Sequence, residues 1–280
     1  MATETFDSTV LTVERVGRVA TLWLDRPEAL NAMGQEVFDD LPRAMEFLDT
    51  DDDVRVIVLA ARGRHFCVGL DLKSMGGFLT GGDGPAADAS GVRRNGATYE
   101  AIRRMQDSIS ALTATNKPIL AAVHGYCIGG GVDLIAACDI RFAAADAVFS
   151  VREAKVAIVA DLGSLQRLPR IINAGHVAEL AFTGKDIDAE RARSIGLVND
   201  VLPDADGALA HAMAVAEEIA SNSPLAVQGT KAVLAAGEGK SVEEGLDFVA
   251  TWNTLYLQSD DLREAMAAFV EKRPPHFTGS

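Results

Sequence analysis

Three acidic residues, Asp133, Glu153 and Asp161, follow a run of three glycines that ends at Gly131. A carboxylate can remove a proton from a substrate, and a protonated carboxyl can return one. A glycine run lets a ligand approach the backbone closely and presents free N–H groups where a helix begins. Together these residue types are suited to proton transfer beside a site that binds negative charge.

Each acid also has an ordinary structural explanation. Asp133 would be favourable in the first turn of a helix, where negative charge is stabilised. Glu153 would be a solvated residue at the end of a strand. Asp161 would be an N-cap for a helix that enters at Leu165.

A second glycine motif, Val68-Gly69-Leu70-Asp71-Leu72, follows the apolar run 54–60. By itself it predicts a turn with a left-handed glycine and a short helix capped by Asp71. The glycine triplet of residues 129–131 is not a P-loop, because no Gly-Lys-Ser/Thr follows it. It does not match a dinucleotide-binding fingerprint either.

Taken together, the two glycine motifs resemble the signature of the crotonase (enoyl-CoA hydratase/isomerase) superfamily. The resemblance implies an oxyanion hole for a thioester carbonyl, with the N–H groups of Leu70 and Gly130 as its donors. Such donors stabilise the enolate that forms when the proton α to a thioester is removed. The implied substrate is an acyl-CoA thioester, and the implied substrate-binding residues are Val68, Gly69, Leu70, Asp71, Leu72 and Gly130.

Further segments extend this resemblance over most of the chain. Residues 26–32 resemble the family's early loop on the CoA side, and residues 182–184, 196–198 and 269–273 resemble its later landmarks. Glu28 stands where the family often has a basic residue near the CoA phosphates. The cation that binds those phosphates is therefore left unassigned.

The three acids distinguish between subfamilies. Hydratases usually have Glu, Glu and a Pro-Gly turn at these positions, where two glutamates hold a water. Here Ala160-Asp161 replaces Pro-Gly, which resembles dienoyl-CoA isomerases. The resemblance implies that Glu153 takes the C2 proton, that protonated Asp161 returns one at C6, and that Asp133 hydrogen-bonds Glu153. The implied reaction converts 3,5-dienoyl-CoA to 2,4-dienoyl-CoA in fatty acid degradation, and the only cofactor moiety is the substrate's own coenzyme A.

Two other functions remain open at this point. The first is a 2-enoyl-CoA hydratase that uses Asp133 and Glu153 around a water molecule. The second is a non-catalytic CoA-binding or scaffold protein on the same fold. Retained acids argue against the scaffold, because a scaffold has no need of inward-facing carboxylates.

Alternating strands and helices must position these residues. Apolar runs at 10–16 and 19–24 predict a β-hairpin, and runs at 54–60, 119–123 and 140–144 predict buried strands. Residues 76–96 are rich in Gly, Ala, Asp and Ser and predict a mobile loop that leads into a helix. The resemblance implies an α/β fold, the crotonase (ClpP-like) spiral of ββα units. Leu162, Ile158 and Val159 are expected to form an apolar wall that keeps Asp161 protonated.

After about Ser164 the patterns are mainly helical. We expect a crotonase core with the thioester site over residues 1–200 and a helical oligomerisation or lid region over residues 201–280. The resemblance implies a homotrimer, often paired into a hexamer.

Composition excludes several classes of protein. The 280 residues carry a net charge of −14 without a basic cluster, which argues against nucleic-acid or anionic-membrane partners. The three cysteines have no framework spacing and the histidines have no metal spacing, so we predict no metal site. With no signal or transit pattern near the N-terminus, the expected location is cytoplasmic.

Overall fold

The computed structural model describes residues 6–80 and 91–280. Its described strands form two sheets. The larger sheet has the strand order β1-β2-β3-β4-β6-β9, and the smaller has the order β5-β7-β8. The strands are β1 (Leu11–Val16), β2 (Val19–Leu24), β3 (Val56–Ala61), β4 (Ile119–Val123), β5 (Tyr126–Ile128), β6 (Ile140–Ala144), β7 (Val148–Ser150), β8 (Ile187–Asp188) and β9 (Asp200–Leu202).

The larger sheet begins with the predicted hairpin. Strands β1 and β2 pair antiparallel across a two-residue turn, where Gly17 has φ +59. From β2 to β9 the pairing is parallel. Every residue of β3 and β4 is buried, as expected for strands covered on both faces.

Helices surround the sheets and make up most of the C-terminal part. They are α1 (Gln35–Thr50), α2 (Leu72–Thr80), α3 (Gly91–Ala114), α4 (Gly130–Ala136), α5 (Ser164–Arg167), α6 (Ala174–Thr183), α7 (Ala189–Ser194), α8 (Ala205–Ser221), α9 (Pro224–Ala236), α10 (Val242–Tyr256) and α11 (Asp260–Glu271). Short 3-10 helices cover Pro27–Ala29, Glu153–Val156 and Leu168–Arg170.

The two faces of the larger sheet are covered differently. Helices α1 and α3 contribute large side chains such as Phe38, Leu41 and Ile109 to one core cluster. Helix α8 packs on the opposite face through Ala212 and Ala216, which belong to a second cluster. These small side chains let α8 approach the sheet closely.

Two sequence expectations differ from the structure. The described parts of the predicted loop 76–96 are helical, since α2 continues to Thr80 and α3 begins at Gly91; residues 81–90 lie outside the described part. Strand signal also persists past Ser164, as β8 and β9. The division at residue 200 stays a prediction; β9 pairs with β6, and α8 packs on the same sheet.

None of the helices within residues 6–80 and 91–280 combines the length and the hydrophobicity needed to cross a bilayer.

Candidate active site

The backbone around Leu70 is fixed by Met33. Met33 N donates to Gly69 O at 2.8 Å, and Asp71 N donates to Met33 O at 2.9 Å. In a planar trans peptide the N–H points away from the carbonyl of the same unit. The Leu70 N–H therefore points away from Met33, and it has no acceptor in the described part of the chain.

The second predicted donor is oriented by the same rule. Gly129 O accepts from Val132 N at 2.7 Å, in the first turn of α4. The Gly130 N–H therefore points out of the helix start, and within residues 6–80 and 91–280 nothing accepts it. A Cβ added to Gly69 would lie 3.7 Å from Gly130 N, so the Leu70 and Gly130 peptides are neighbours. The structure brings the two predicted oxyanion donors together.

Gly129 must be glycine for two reasons. Its backbone has φ +54 and ψ −117, a conformation that side chains disfavour. A Cβ at this position would also lie 3.1 Å from Glu153 Oε1. The glycine run thus brings the backbone close to the Glu153 carboxyl group.

Glu153 is the first residue of the 3-10 helix that follows β7. Its Oε2 atom is buried and has no hydrogen-bond partner among the described residues. Burial raises the pKa of Glu153, and the charge of Asp161 raises it further. A buried carboxylate oxygen without a hydrogen-bond partner is typical of a general base that takes a proton from the substrate.

Asp133 lies on α4 and is almost fully buried. Its Oδ1 atom accepts a hydrogen bond from Ser164 N at 2.5 Å. The predicted hydrogen bond to Glu153 is wrong for the described residues, since the two carboxyls interact only through their charges. Burial, followed by the charge of Glu153, raises the pKa of Asp133 to about 7.

Asp161 does not cap a helix. The N-cap of α5 is Gly163, and the first N–H of that helix is held by Asp133 instead. The Asp161 side chain is half-buried, and this burial raises its pKa. Leu162 is buried as predicted, but Val159 is 76% exposed and contributes no wall around the acid.

The other residues of the Gly69 motif have separate positions. Val68 and Leu70 are half-buried, and Leu72 is exposed at the start of α2. The Asp71 carboxylate accepts from Lys73 N at 3.1 Å, which confirms its predicted role as a helix cap. Its second oxygen is held by Arg26 Nη1 at 3.0 Å.

Sequence reasoning missed four residues around the site: Met33, Arg26, Gln106 and Arg167. Met33 holds the Leu70 segment through its backbone, and its Sδ would lie 2.7 Å from a Cβ on Gly130. Gln106 donates to the backbone oxygen of Asp161, and Arg167 donates to that of Leu162. The contacts of Arg26 and Gln106 join distant parts of the chain, and that of Arg167 spans only five residues but ends on a backbone oxygen, so no spacing pattern links them to the acids.

Two chemistries have no support in the site. Cys67 lies next to the Gly69 segment, but burial raises the pKa of its thiol to about 12, so it is a poor nucleophile. Across residues 6–80 and 91–280, no group of three His, Cys, Asp or Glu side chains is arranged to hold a metal ion.

Two named proteins match this chain over most of its length. The chain is 45% identical over 260 residues to the peroxisomal Delta(3,5)-Delta(2,4)-dienoyl-CoA isomerase of Arabidopsis thaliana, covering 91% of each chain. It is 42% identical over 259 residues to the mitochondrial protein of the same activity from Dictyostelium discoideum, covering 92% of this chain and 87% of the relative.

The compartments in these names correct one expectation. The predicted cytoplasmic location is wrong, because these relatives are named peroxisomal and mitochondrial. The three free cysteines are all buried in the core. Free cysteines are often buried in protein cores, so these three do not indicate a cellular compartment.

The fold has close counterparts among solved structures. An enoyl-CoA hydratase from Bacillus anthracis superposes with a TM-score of 0.87 at 29% identity, covering 97% of this chain and 100% of that one. This confirms the predicted crotonase fold with its helical C-terminal region. The family model described as Enoyl-CoA hydratase/isomerase matches residues 14–280. The chain therefore belongs to the enoyl-CoA hydratase/isomerase family.

Proposed function

We propose that this protein isomerises 3,5-dienoyl-CoA to 2,4-dienoyl-CoA through an oxyanion-stabilised dienolate, as a step of fatty acid degradation. The observation that carries the proposal is the placement of Asp161. Its carboxyl group is half-buried, caps no helix and is coupled through its charge to Glu153. The dienoyl-CoA isomerases at 42% to 45% identity support the same activity.

The reaction begins at the thioester end of the acyl chain. Glu153, as carboxylate, takes a proton from C2, and the electrons of that C–H bond move into the thioester carbonyl. The N–H groups of Leu70 and Gly130 stabilise the resulting oxyanion. Because the diene is conjugated with the enolate, the negative charge extends to C6.

The reaction ends at the remote carbon. Asp161 donates its proton to C6, the double bonds settle at positions 2 and 4, and the thioester carbonyl reforms. Glu153 then holds one proton and Asp161 has lost one. A proton must pass between the two carboxyls, directly or through water, before the next turnover. No electrons are lost, so the substrate's coenzyme A is the only cofactor moiety required.

Asp133 has a positioning role in this proposal. Its carboxyl group holds the start of α5 next to Asp161. Burial and the charge of Glu153 raise the pKa of Asp133, which favours a protonated Asp133 beside a Glu153 carboxylate.

The assay that tests the proposal uses two substrates in parallel. The purified protein is incubated with a 3,5-dienoyl-CoA and with a trans-2-enoyl-CoA, and ultraviolet absorbance is followed for each. Formation of the conjugated 2,4-dienoyl-CoA is the expected result. Formation of 3-hydroxyacyl-CoA alone would support the hydratase, which the resemblance to the Bacillus anthracis enzyme favours. CoA binding without any turnover would support a scaffold.

Asp161 separates the isomerase from the hydratase. Asp161→Asn removes the exchangeable proton and changes the side chain little. We expect loss of isomerisation with near-normal stability, while Glu153 still exchanges the C2 proton with solvent. Isomerisation at the wild-type rate would show that Asp161 is not the acid.

We also propose that the protein is a homotrimer or a hexamer assembled through its C-terminal helices. Helix α11 carries exposed Leu262, Met266, Phe269 and Val270. These positions fall on one face of a helix, which supports burial against a second copy.

A further inference from the structure

The segment that carries Asp161 is held by hydrogen bonds from side chains. Gln106 Nε2, on α3, donates to Asp161 O at 2.7 Å. Arg167 Nη1, on α5, donates to Leu162 O at 3.2 Å. Together with the contact between Asp133 and Ser164 N, these bonds secure three backbone groups within four residues.

Arg167 fits this segment closely. Its guanidinium occupies the space that a Cβ on Gly163 would need, and Gly163 has φ +123, where side chains are disfavoured. Arg167 Nη2 also donates to Ser110 Oγ on α3 at 2.9 Å. Helix α3 therefore reaches the segment twice, once through Gln106 and once through Ser110 and Arg167.

Packing alone does not hold this segment. A cavity of about 1360 Å³ borders Gln106, Asp161, Leu162, Gly163 and Arg167. Of the described residues, neither Glu153 nor the two oxyanion donors line this cavity. The segment is packed on the side of Ala160 and Leu162 and borders the cavity at Asp161 and Gly163, so the hydrogen bonds restrain it on its open side.

Glu153 is anchored elsewhere. It follows β7, where Ser150 O accepts from Gly129 N at 2.9 Å and Ser150 Oγ donates to Gly184 O at 3.0 Å. Neither Gln106 nor Arg167 takes part in these bonds. The base and the acid are therefore held by independent sets of contacts.

We infer that Gln106 and Arg167 are positioning residues that direct the Asp161 carboxyl group at the remote carbon of the dienolate. The inference rests on the proposed isomerisation. Loss of either contact leaves proton removal at C2 intact and slows proton return at C6. Misplacing a catalytic group by about 1 Å can cost on the order of 100-fold in rate.

The experiment compares two rates in the full-length protein in D₂O with a 3,5-dienoyl-CoA. Mass spectrometry measures deuterium at C2 of recovered substrate, and ultraviolet absorbance measures 2,4-dienoyl-CoA. The variants are Gln106→Leu and Arg167→Lys, and the control is Gln166→Leu, an exposed glutamine on α5. Circular dichroism confirms that each variant is folded.

We expect the ratio of isomerisation to exchange to fall about 10- to 100-fold in Gln106→Leu and to stay constant in Gln166→Leu. If Arg167→Lys fails to fold, Gln106→Leu alone decides the question. An unchanged ratio in folded Gln106→Leu, or an equal loss of both rates, overturns the inference. Wild-type protein that forms no 2,4-dienoyl-CoA overturns the proposed function, and the inference with it.

Discussion

At the scale of residues, the direction of two N–H groups decides what the site can stabilise. The Leu70 and Gly130 donors are oriented because the carbonyls of their own peptide units are bound on the opposite side. Neither orientation depends on a side chain at position 70 or 130. The site can therefore be tested by removing a single hydrogen atom from the backbone.

Gly130→Pro removes one donor, because proline has no N–H and is well tolerated at the first position of a helix. The added ring would collide with Met33 Sδ, which lies 2.7 Å from the Cβ position. We therefore expect Met33→Ala/Gly130→Pro to exchange the C2 proton about 10²- to 10³-fold more slowly than Met33→Ala. Equal exchange rates in these two folded variants would exclude Gly130 as a donor.

The raised pKa of Asp133 predicts how the free energy of unfolding depends on pH. Its pKa rises from 3.8 to about 7 on folding, so the folded state binds this proton more tightly. The stabilisation is fully present below pH 3.8 and is lost as the pH rises to 7. Asp133→Asn keeps an oxygen for Ser164 N and cannot ionise.

Between about pH 5 and pH 8 we expect the stability of Asp133→Asn to rise relative to wild type, by on the order of 2 kcal/mol. Urea unfolding at several pH values measures this difference. Parallel pH profiles for the two proteins would contradict a raised pKa at Asp133.

At the scale of elements, the loop before α1 is clamped to the segment that carries Leu70. Arg26 and Asp71 form a largely buried ion pair with an N–O distance of 3.0 Å. Asn31 fixes the same loop, since its side chain accepts from Arg26 N and donates to His65 O. This clamp and the Met33 backbone hold one wall of the oxyanion hole.

Arg26→Met removes the ion pair and keeps most of the aliphatic stem. We expect kcat to fall about tenfold with little change in KM, because the Leu70 donor loses alignment with the transition state. Arg26→Lys should recover part of the loss. Arg43→Met, which removes an ion pair with Asp40 from a 58% exposed arginine on α1, is the matched control and should behave like wild type. A raised KM with unchanged kcat would instead place Arg26 at the coenzyme A phosphates.

The sequence predicted these elements unevenly. Continuous apolar runs predicted β3 and β4, and the mainly helical pattern after Ser164 predicted the C-terminal helices. Strands β5, β7 and β8 have only two or three residues, too few for a period to emerge. The run 76–96 predicts a loop, but its described residues belong to α2 and α3, because a glycine within a helix costs only about 1 kcal/mol.

The residues of the candidate site were also predicted unevenly. Acids and glycines are identified by type, spacing and resemblance. Gln106 and Arg167 could not be found in this way, because each acts on a backbone carbonyl and any donor of suitable length could replace it. Asp133 accepts a hydrogen bond from Ser164 N, at the start of α5, instead of bonding to Glu153. This contact between α4 and α5 depends on packing and could not be predicted from the sequence.

At the scale of the whole molecule, the C-terminal helices differ from the rest of the chain. Helix α10 has no buried residue, and the side chains of Leu246 and Leu255 are mostly exposed. In contrast, Asp261 at the start of α11 is buried and hydrogen-bonded. Asp261 accepts from Ser223 Oγ at 2.6 Å and from Thr278 N at 2.8 Å.

This arrangement makes the assembly testable without unfolding the subunit. Phe269 is 81% exposed, on the α11 face away from Asp261, so Phe269→Glu places a charge on the apolar face and leaves the anchoring contacts in place. Burying a charge costs far more than the roughly 1.5–3 kcal/mol that burial of a phenylalanine contributes.

We expect wild type to sediment as a trimer or hexamer and Phe269→Glu as a smaller species with the same circular dichroism. Val92→Glu, an equivalent change on α3, should sediment like wild type. If Phe269→Glu kept the wild-type mass, the face of α11 would not be the contact between copies, and assembly would have to use another surface.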